Sequence, residues 1–280
     1  MWPIMAYVNL LFVELSLAPT LILVSSLVQQ RWGQRIGGLI VGLPLTSLPL
    51  LMLLSLAHGA RFSAAAADSS LEASVAQALL IWVYVAVARR AGLVASLVAS
   101  VGAFGVAVAV LYATPRWSPL LSLGVGVAAL FGALRWWPRA NVARRATGGS
   151  AAQASSLIRL RYRLAIRMVI AALFAAILTG VSGILGSQLS GLVSAFPVLT
   201  FVMGALTHRE GGEIEVSDFL YGVTRGSLAV VTSLFTLAVT LPSGNLVKAF
   251  GLATLAAVAT QVLSSVSRGS RSANPVIVEA

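Results

Sequence analysis

The stretch GGLIVGLPLTSLPL, residues 37–50, decides the fold because it puts helix breakers inside a long apolar run. It holds three glycines, two prolines and a Thr-Ser pair. Each proline removes a backbone donor and disfavours a helical conformation for the residue before it. The carbonyl groups freed near Ile40 and Leu45 then need hydroxyl groups, water or a ligand, and Thr46 and Ser47 stand beside them. The stretch therefore predicts an interrupted membrane helix.

The composition of the whole chain supports a membrane location. Of the 280 residues, 58% are apolar and 10% charged, with a mean hydropathy of +0.94, whereas ordinary soluble domains carry about 25% charged residues. The apolar windows are helix-sized and do not alternate in period two, which favours a helical bundle over a barrel. The fold class predicted is an all-α polytopic membrane protein. The chain has no cysteine, which excludes disulfides, thiolate metal sites and a cysteine nucleophile.

Dividing the chain at charges and turn residues predicts about nine transmembrane helices. The first is too long for the apolar region of a signal peptide and is expected to be retained. A polar, basic linker separates spans five and six. The nine ranges are 4–28, 34–57, 72–88, 91–113, 117–136, 164–185, 187–207, 220–241 and 246–266.

The basic residues separate between the two sides of this arrangement. Three of the 19, Arg61, Arg116 and Lys248, fall on one side and the remaining sixteen on the other. The positive-inside rule then places the linker and C-terminus in the cytoplasm and the N-terminus outside. Because the charge of +11 is explained by topology, no nucleic-acid partner is predicted. The basic linker is predicted to bind anionic lipid, and a homodimer is left open.

The chain also contains an internal repeat. An offset of 153 residues aligns GQRIGGLIVGLP (33–44) with GSQLSGLVSAFP (186–197), and it aligns spans one, three and four with six, eight and nine. One connecting span between two four-span units makes the second unit enter the membrane from the opposite side. The prediction is a 4+1+4 arrangement with inverted repeats, typical of secondary transporters. Its parts are repeat 1 (1–113), a connecting helix (114–137), a basic cytoplasmic linker (138–163), repeat 2 (164–267) and a cytoplasmic tail (268–280).

Paired interrupted helices are the best sequence indication of a transporter binding site. The second half supplies the partner stretch FPVLT, residues 196–200. The residues predicted to line a substrate site are Pro44, Thr46, Ser47, Pro197 and Thr200. A second interpretation stays open, in which the prolines only kink the helices and the glycines from Gly33 to Gly42 serve close helix packing.

Glu14 is the only acidic residue well inside a predicted span. A charge there is costly, so we expect it to face protein or water and to bind a proton or cation. Its counterpart at the 153-residue offset is Arg167, and these two are the predicted coupling residues. Alternatively, Glu14 lies close to the outer boundary. Arg225, near the start of span eight, is expected to extend to the surface.

Signatures of enzymes and cofactors are missing from the sequence. His58 and His208 fall in different loops, so no metal site is predicted. The chain contains no Walker loop, dinucleotide fingerprint or Gly-x-Ser-x-Gly elbow. We therefore predict a protein that is not an enzyme and carries no cofactor.

The second half, from about Tyr162 to Ser265, resembles the small four-span GlpM-type membrane proteins of bacteria. The resemblance implies a bacterial inner-membrane protein built by duplication of a four-span unit, and that family has no established activity. The matching residues are Gly191, Leu192, Val193, Phe196, Pro197 and Thr200, with a looser match in the first half through Gly38, Leu39, Pro44 and Thr46.

Two functions follow from the sequence. The first is a secondary transporter or exporter of a small solute, coupled to protons or ions and working by alternating access. The alternative is a non-transporting membrane component that assists an envelope or polysaccharide assembly system, with the basic linker holding lipid or a partner. The sequence does not identify a substrate.

Overall fold

The computed structural model describes residues 20, 23–138 and 196–266, and every regular element in these ranges is helical. The predicted all-α class is confirmed for this part of the chain. The helices are α1 (described over 23–32), α2 (Gln34–Val41), α3 (Ser47–His58), α4 (Ala60–Ala113), α5 (Pro119–Arg135), α6 (Val198–Thr240), a short 3-10 turn (Leu241–Ser243) and α7 (Leu246–Val266).

Three helices within the described ranges are long and apolar enough to cross a membrane: Ala60–Ala113, Val198–Ser243 and Leu246–Ser264. Crossing a bilayer takes about 20 apolar residues, so the coarse prediction of a helical membrane protein is supported. The full 4+1+4 arrangement stays a prediction, because most of span one, all of span six, the first part of span seven and nearly all of the linker lie outside the described residues.

Helix α4 folds back on itself at Gly92. This residue has φ 73° and ψ −173°, a conformation essentially restricted to glycine. The backbone N–H of Trp117, just after α4, donates to Glu72 Oε1 at 3.0 Å. In one continuous helix residues 72 and 113 would lie about 60 Å apart. Helix α4 is therefore a hairpin of two helices, α4N (60–91) and α4C (93–113).

Helix α6 has the same construction around Gly212, with φ 76° and ψ −164°. A methyl group built on Gly204 would lie 3.5 Å from Leu220 Cδ2. The two residues would be about 24 Å apart in a continuous helix. The two helices of this hairpin are α6N (198–211) and α6C (213–240).

The centre of the bundle is formed by α4N and α6C, which run antiparallel. One apolar cluster joins residues 73–88 of α4N to residues 216–223 of α6C. A second cluster joins residues 64–78 to residues 228–238. Between them the amide Nε2 of Gln77 donates to Ser227 Oγ at 3.2 Å. Helices α4N and α6C thus cross the bundle in opposite directions.

Helix α2 lies directly against the backbone of α6C. Gly38 and Gly42 of α2 face Gly222 and Gly226 of α6C, and a methyl group on Gly42 would come within 2.9 Å of Gly226 Cα. Small residues four apart permit this close approach, so the packing interpretation is confirmed for Gly38 and Gly42. Gly33 instead forms the turn between α1 and α2, with φ 87° and no neighbour within 4 Å of a built Cβ.

Candidate functional site

The first helix break lies where the sequence predicts it. Helix α2 ends at Val41, α3 begins at Ser47, and residues 42–46 between them are not helical. The amide of Leu43 donates to the Ile40 carbonyl at 3.1 Å. The expectation that a hydroxyl group, water or ligand must satisfy this carbonyl is therefore wrong, because a tight turn of the main chain supplies the donor.

The turn at Pro197, before α6N, has the same local structure 153 residues later, and the residues just before Phe196 lie outside the described part of the chain. The amide of Leu45 donates to the Leu43 carbonyl at 2.8 Å, and the amide of Val198 donates to the Phe196 carbonyl at 2.8 Å. The residue enclosed by the second bond, Pro197, has φ −80° and ψ 69°, the geometry of an inverse γ-turn. Proline suits this position because its ring fixes φ and it needs no donor.

After each turn, the first helical hydrogen bond of α3 or α6N is accepted by the carbonyl of the proline. The amide of Leu48 donates to the Pro44 carbonyl at 3.2 Å, and the amide of Phe201 donates to the Pro197 carbonyl at 2.9 Å. Two pairs of equivalent hydrogen bonds, separated by the same 153 residues, are more specific evidence of similarity between the two turns than the match of apolar residues in the sequence. The proline turn before α3 and the proline turn before α6N therefore have the same hydrogen-bond pattern.

Both breaks border the same apolar cluster. Phe196 packs edge-on against Phe104 of α4C and Phe201 of α6N, with ring centroids 5.1 and 5.3 Å apart. Val41, at the end of α2, and Val198, at the start of α6N, belong to this cluster. The bundle therefore holds the two breaks against a shared core.

The predicted substrate-lining residues differ in exposure. Pro44 is buried, Ser47 and Pro197 are half-buried, and Thr46 is exposed. Thr200 is 3% exposed. Among these described residues, the hydrogen bonds of the structure do not join the three hydroxyl groups. The breaks are present, but their side chains are not gathered into one polar spot in this conformation, and their role in binding stays a prediction.

The predicted coupling residues Glu14 and Arg167 lie outside the described residues. Two further acidic residues, Asp68 and Glu72, lie within the helix α4N. The segment before residue 72 contains Arg61 and several small polar residues, so hydropathy assigned it to a loop. In the structure it is helical and packs on the core, which leaves Glu72 8% exposed.

The Glu72 carboxylate lies beside the chain that connects α4C to α5. It accepts the Trp117 amide at 3.0 Å, and Arg116 attracts both Glu72 and Asp68 electrostatically. Asp68 is one helical turn earlier on the same face. Its Oδ1 atom is buried and has no hydrogen-bond partner within the structure as described. The i, i+4 spacing of two carboxylates was the sequence signal that could have identified this pair.

His208 is buried in a helix, whereas the sequence analysis placed it in a loop. It is 8% exposed, and its Nδ1 lies 3.2 Å from the hydroxyl of Tyr84, which is 2% exposed. Beside it, Thr207 has a buried hydroxyl group without a partner in the described part of the chain. The prediction failed because it assigned residues 207–218 to a loop, whereas they are helical apart from the turn at Gly212.

Arg225 is also buried, contrary to the expectation that it reaches the surface. It is 8% exposed, and its guanidinium donates to the Ser264 carbonyl near the end of α7. A cation at this place is favoured by the partial negative charge of the helix C-terminus. The Arg225 side chain is therefore buried against α7, and the prediction that it reaches the surface is wrong.

A polar contact closes the Gly212 end of the bundle. Arg35 of α2 forms an ion pair with Asp218 of α6C at 2.8 Å, and Gln34 donates to Glu215 at 3.1 Å. The Arg35 guanidinium also lies 5.4 Å from the ring centroid of Tyr221. These contacts, named below the α2–α6C polar contact, join the first half of the chain to the second.

The structure defines a class: a helical membrane protein with two matching proline turns beside a common apolar core. Within the described ranges, no group of three or more histidine, aspartate or glutamate side chains is arranged to hold a metal ion. Comparisons with protein-family models, with curated proteins and with solved structures gave no match. The function must therefore be argued from the geometry of this chain.

Proposed function

We propose that this chain is a secondary transporter or exporter of a small solute in the bacterial inner membrane. The proposed architecture has nine spans and two inverted four-span repeats, and the duplicated helix break carries the proposal. In secondary transporters built from inverted repeats, substrates bind near the middle of the membrane where interrupted helices of the two halves meet. Duplication of a GlpM-type four-span unit is the origin we propose for the repeats.

Two observations support the repeat beyond the breaks. Gly59, between α3 and α4N, has φ 88° and ψ 161°, and Gly212, 153 residues later, has φ 76° and ψ −164°. Both glycines turn the chain between successive helices. Gly92 adopts the same conformation, so the support for the repeat comes from the position of the two turns at the 153-residue offset. In addition, α4N and α6C are antiparallel, as inverted repeats require of spans three and eight.

The distribution of charge supports the proposed orientation. Arg35, Arg89 and Arg90 lie near the end of the bundle that contains the Gly92 and Gly212 turns, whereas Arg61 and Lys248 lie near the opposite end. The positive-inside rule makes the first end cytoplasmic. Alternating access would then open and close the region of the breaks toward each side in turn.

The experiment uses the absence of native cysteine. A single Thr200→Cys variant is treated with a membrane-impermeant maleimide in right-side-out and in inverted vesicles. Thr200 is 3% exposed in this conformation, so labelling needs a conformational change. Alternating access predicts that this cysteine reacts from both sides.

Two control variants show how a buried position and an exposed position react in the same labelling experiment. Ser233→Cys, at a fully buried position in the middle of α6C, should stay unlabelled in intact vesicles. Ser243→Cys, in the exposed turn before α7, should react from one side only. Labelling of Thr200→Cys from neither side or from one side alone would contradict alternating access and favour the non-transporting assembly component.

A further inference from the structure

Glu72 is the buried carboxylate that the proposed mechanism has not yet used. It lies 12 residues into α4N, about 18 Å from the start of the helix, and five residues before the Gln77–Ser227 contact at the centre of the bundle, about 7.5 Å along the axis. Its side chain is 8% exposed. Its Oε1 atom accepts the Trp117 amide, so the carboxyl group is buried near the connection between α4C and α5. Burial of a charged carboxylate is costly, and the neutral form is favoured there.

The charged groups that face Glu72 are few. Asp68 lies one turn away on the same helix, and Arg116 lies in the connection between α4C and α5. Helix α5 packs on this part of α4N at Gly126. This glycine lies beside Ser74 of α4N and Val231 of α6C. Residues 119–134 of α5 and residues 226–240 of α6C contain no titratable side chain. Glu72 therefore has one acidic and one basic neighbour within the described structure.

The repeat gives Glu72 a counterpart of opposite charge. Arg225 stands 153 residues later, is equally buried at 8% exposure, and donates to the carbonyl of Ser264. Glu72 accepts a backbone N–H after the fourth span, and Arg225 donates to a backbone carbonyl in the last span. Main-chain groups thus hold both side chains. The guanidinium keeps its charge at any accessible pH, so only the carboxyl member can exchange a proton.

We infer that Glu72 is the proton-binding residue of the transporter proposed above, and that Asp68 connects it to the Arg116 side of the bundle. The Trp117 amide holds the carboxyl group in place in either protonation state, because one oxygen remains an acceptor after the other takes a proton. Asp68 lies one turn closer to the start of α4N, and its buried Oδ1 atom has no partner among the described residues. This inference rests on the proposed function and adds a coupling residue to it.

The first test asks whether Glu72 binds a proton inside the membrane. Dicyclohexylcarbodiimide, an apolar reagent, adds a protonated carboxyl group across its C=N bond and so marks such groups. In native membranes we expect mass spectrometry to find the adduct on Glu72, with less adduct as the pH rises. Glu72→Gln should lose the signal, and Glu210→Gln, at an exposed position on α6N, should keep it. No adduct on Glu72 at any pH would overturn the inference.

The second test asks whether this proton controls the conformation. The ratio of outside to inside labelling of Thr200→Cys should change with pH. This dependence should be lost in the Glu72→Gln background and kept in Glu72→Asp. Because Gln can still accept the Trp117 amide, the Gln variant should keep the wild-type thermal midpoint in detergent, which separates coupling from a structural role.

The outcomes separate the inference from the proposed function. If Thr200→Cys reacts from both sides but keeps its pH dependence in Glu72→Gln, transport stands and the role of Glu72 is overturned. If Thr200→Cys does not react at all, the proposed transport function fails. The carbodiimide labelling still decides whether Glu72 binds a proton.

Discussion

At the scale of single residues, the glycines between α2 and α6C make the most specific contact in the bundle. A methyl group on Gly222 would be 2.9 Å from the amide nitrogen of Leu39 and would overlap the carbonyl of Arg35. Backbone atoms cannot move aside as a flexible side chain can. The helices must separate to accept any side chain there.

Gly222→Ala should therefore lower the free energy of unfolding by about 1–3 kcal/mol, the usual effect of overpacking. Gly102 is the matched control, because it lies in the helix α4C and a built Cβ there meets nothing within 4 Å. Gly102→Ala should be neutral or stabilising by up to about 1 kcal/mol through helix propensity. Thermal midpoints of the two variants in one detergent provide the measurement, and equal midpoints would contradict the close contact.

Residue types alone predicted some of the site. Pro44 and Pro197 located both breaks because proline acts locally, on its own amide and on the preceding residue. Glu72 was missed because its burial depends on α5 and α6C packing over a polar stretch of α4N. Hydropathy averages neighbouring residues in the chain, so it does not detect polar side chains covered by distant helices.

At the scale of helices, the α2–α6C polar contact should control access to the breaks from the Gly212 end. The side chains of Arg35 and Asp218 are 52% and 27% exposed, and exposed ion pairs contribute about 0.2–1 kcal/mol. Opening of this end should therefore be easier without the pair, but only modestly.

Asp218→Asn should raise the labelling rate of Thr200→Cys from the Gly212 side by about 1.5- to 5-fold, the effect of that free energy on an opening equilibrium. Asp218→Glu keeps the charge and should leave the rate close to that of the parent. High salt, which screens exposed charges, should reduce the difference between Asp218→Asn and the parent. A rate that is unchanged or slower in Asp218→Asn would show that this contact does not hold the end closed.

At the scale of the whole molecule, the proposed repeat can be compared with the positions of the described helices. The 153-residue offset relates two breaks, two turns and two buried charged residues, and the central helices α4N and α6C run in opposite directions. Opposite direction could not be read from the apolar pattern, because that pattern is the same in both directions of a membrane helix. The prediction that the two halves run in opposite directions depended on the number of spans between them and on the asymmetry of basic residues.

The turns at the two ends of α4N and α6C test this arrangement in the membrane. Ala91 is exposed beside the Gly92 turn, and Ser243 is exposed in the turn before α7. Because α4N and α6C are antiparallel, these positions lie at opposite ends of the bundle. In the otherwise cysteine-free chain, Ala91→Cys should react with an impermeant maleimide only in inverted vesicles, and Ser243→Cys only in right-side-out vesicles. The sidedness follows from the positive-inside rule, since Arg89 and Arg90 adjoin Ala91. If each variant reacts from the side opposite to the one expected, the bundle is correct but its orientation in the membrane is reversed. If both variants react from the same side, the antiparallel packing of α4N and α6C is contradicted.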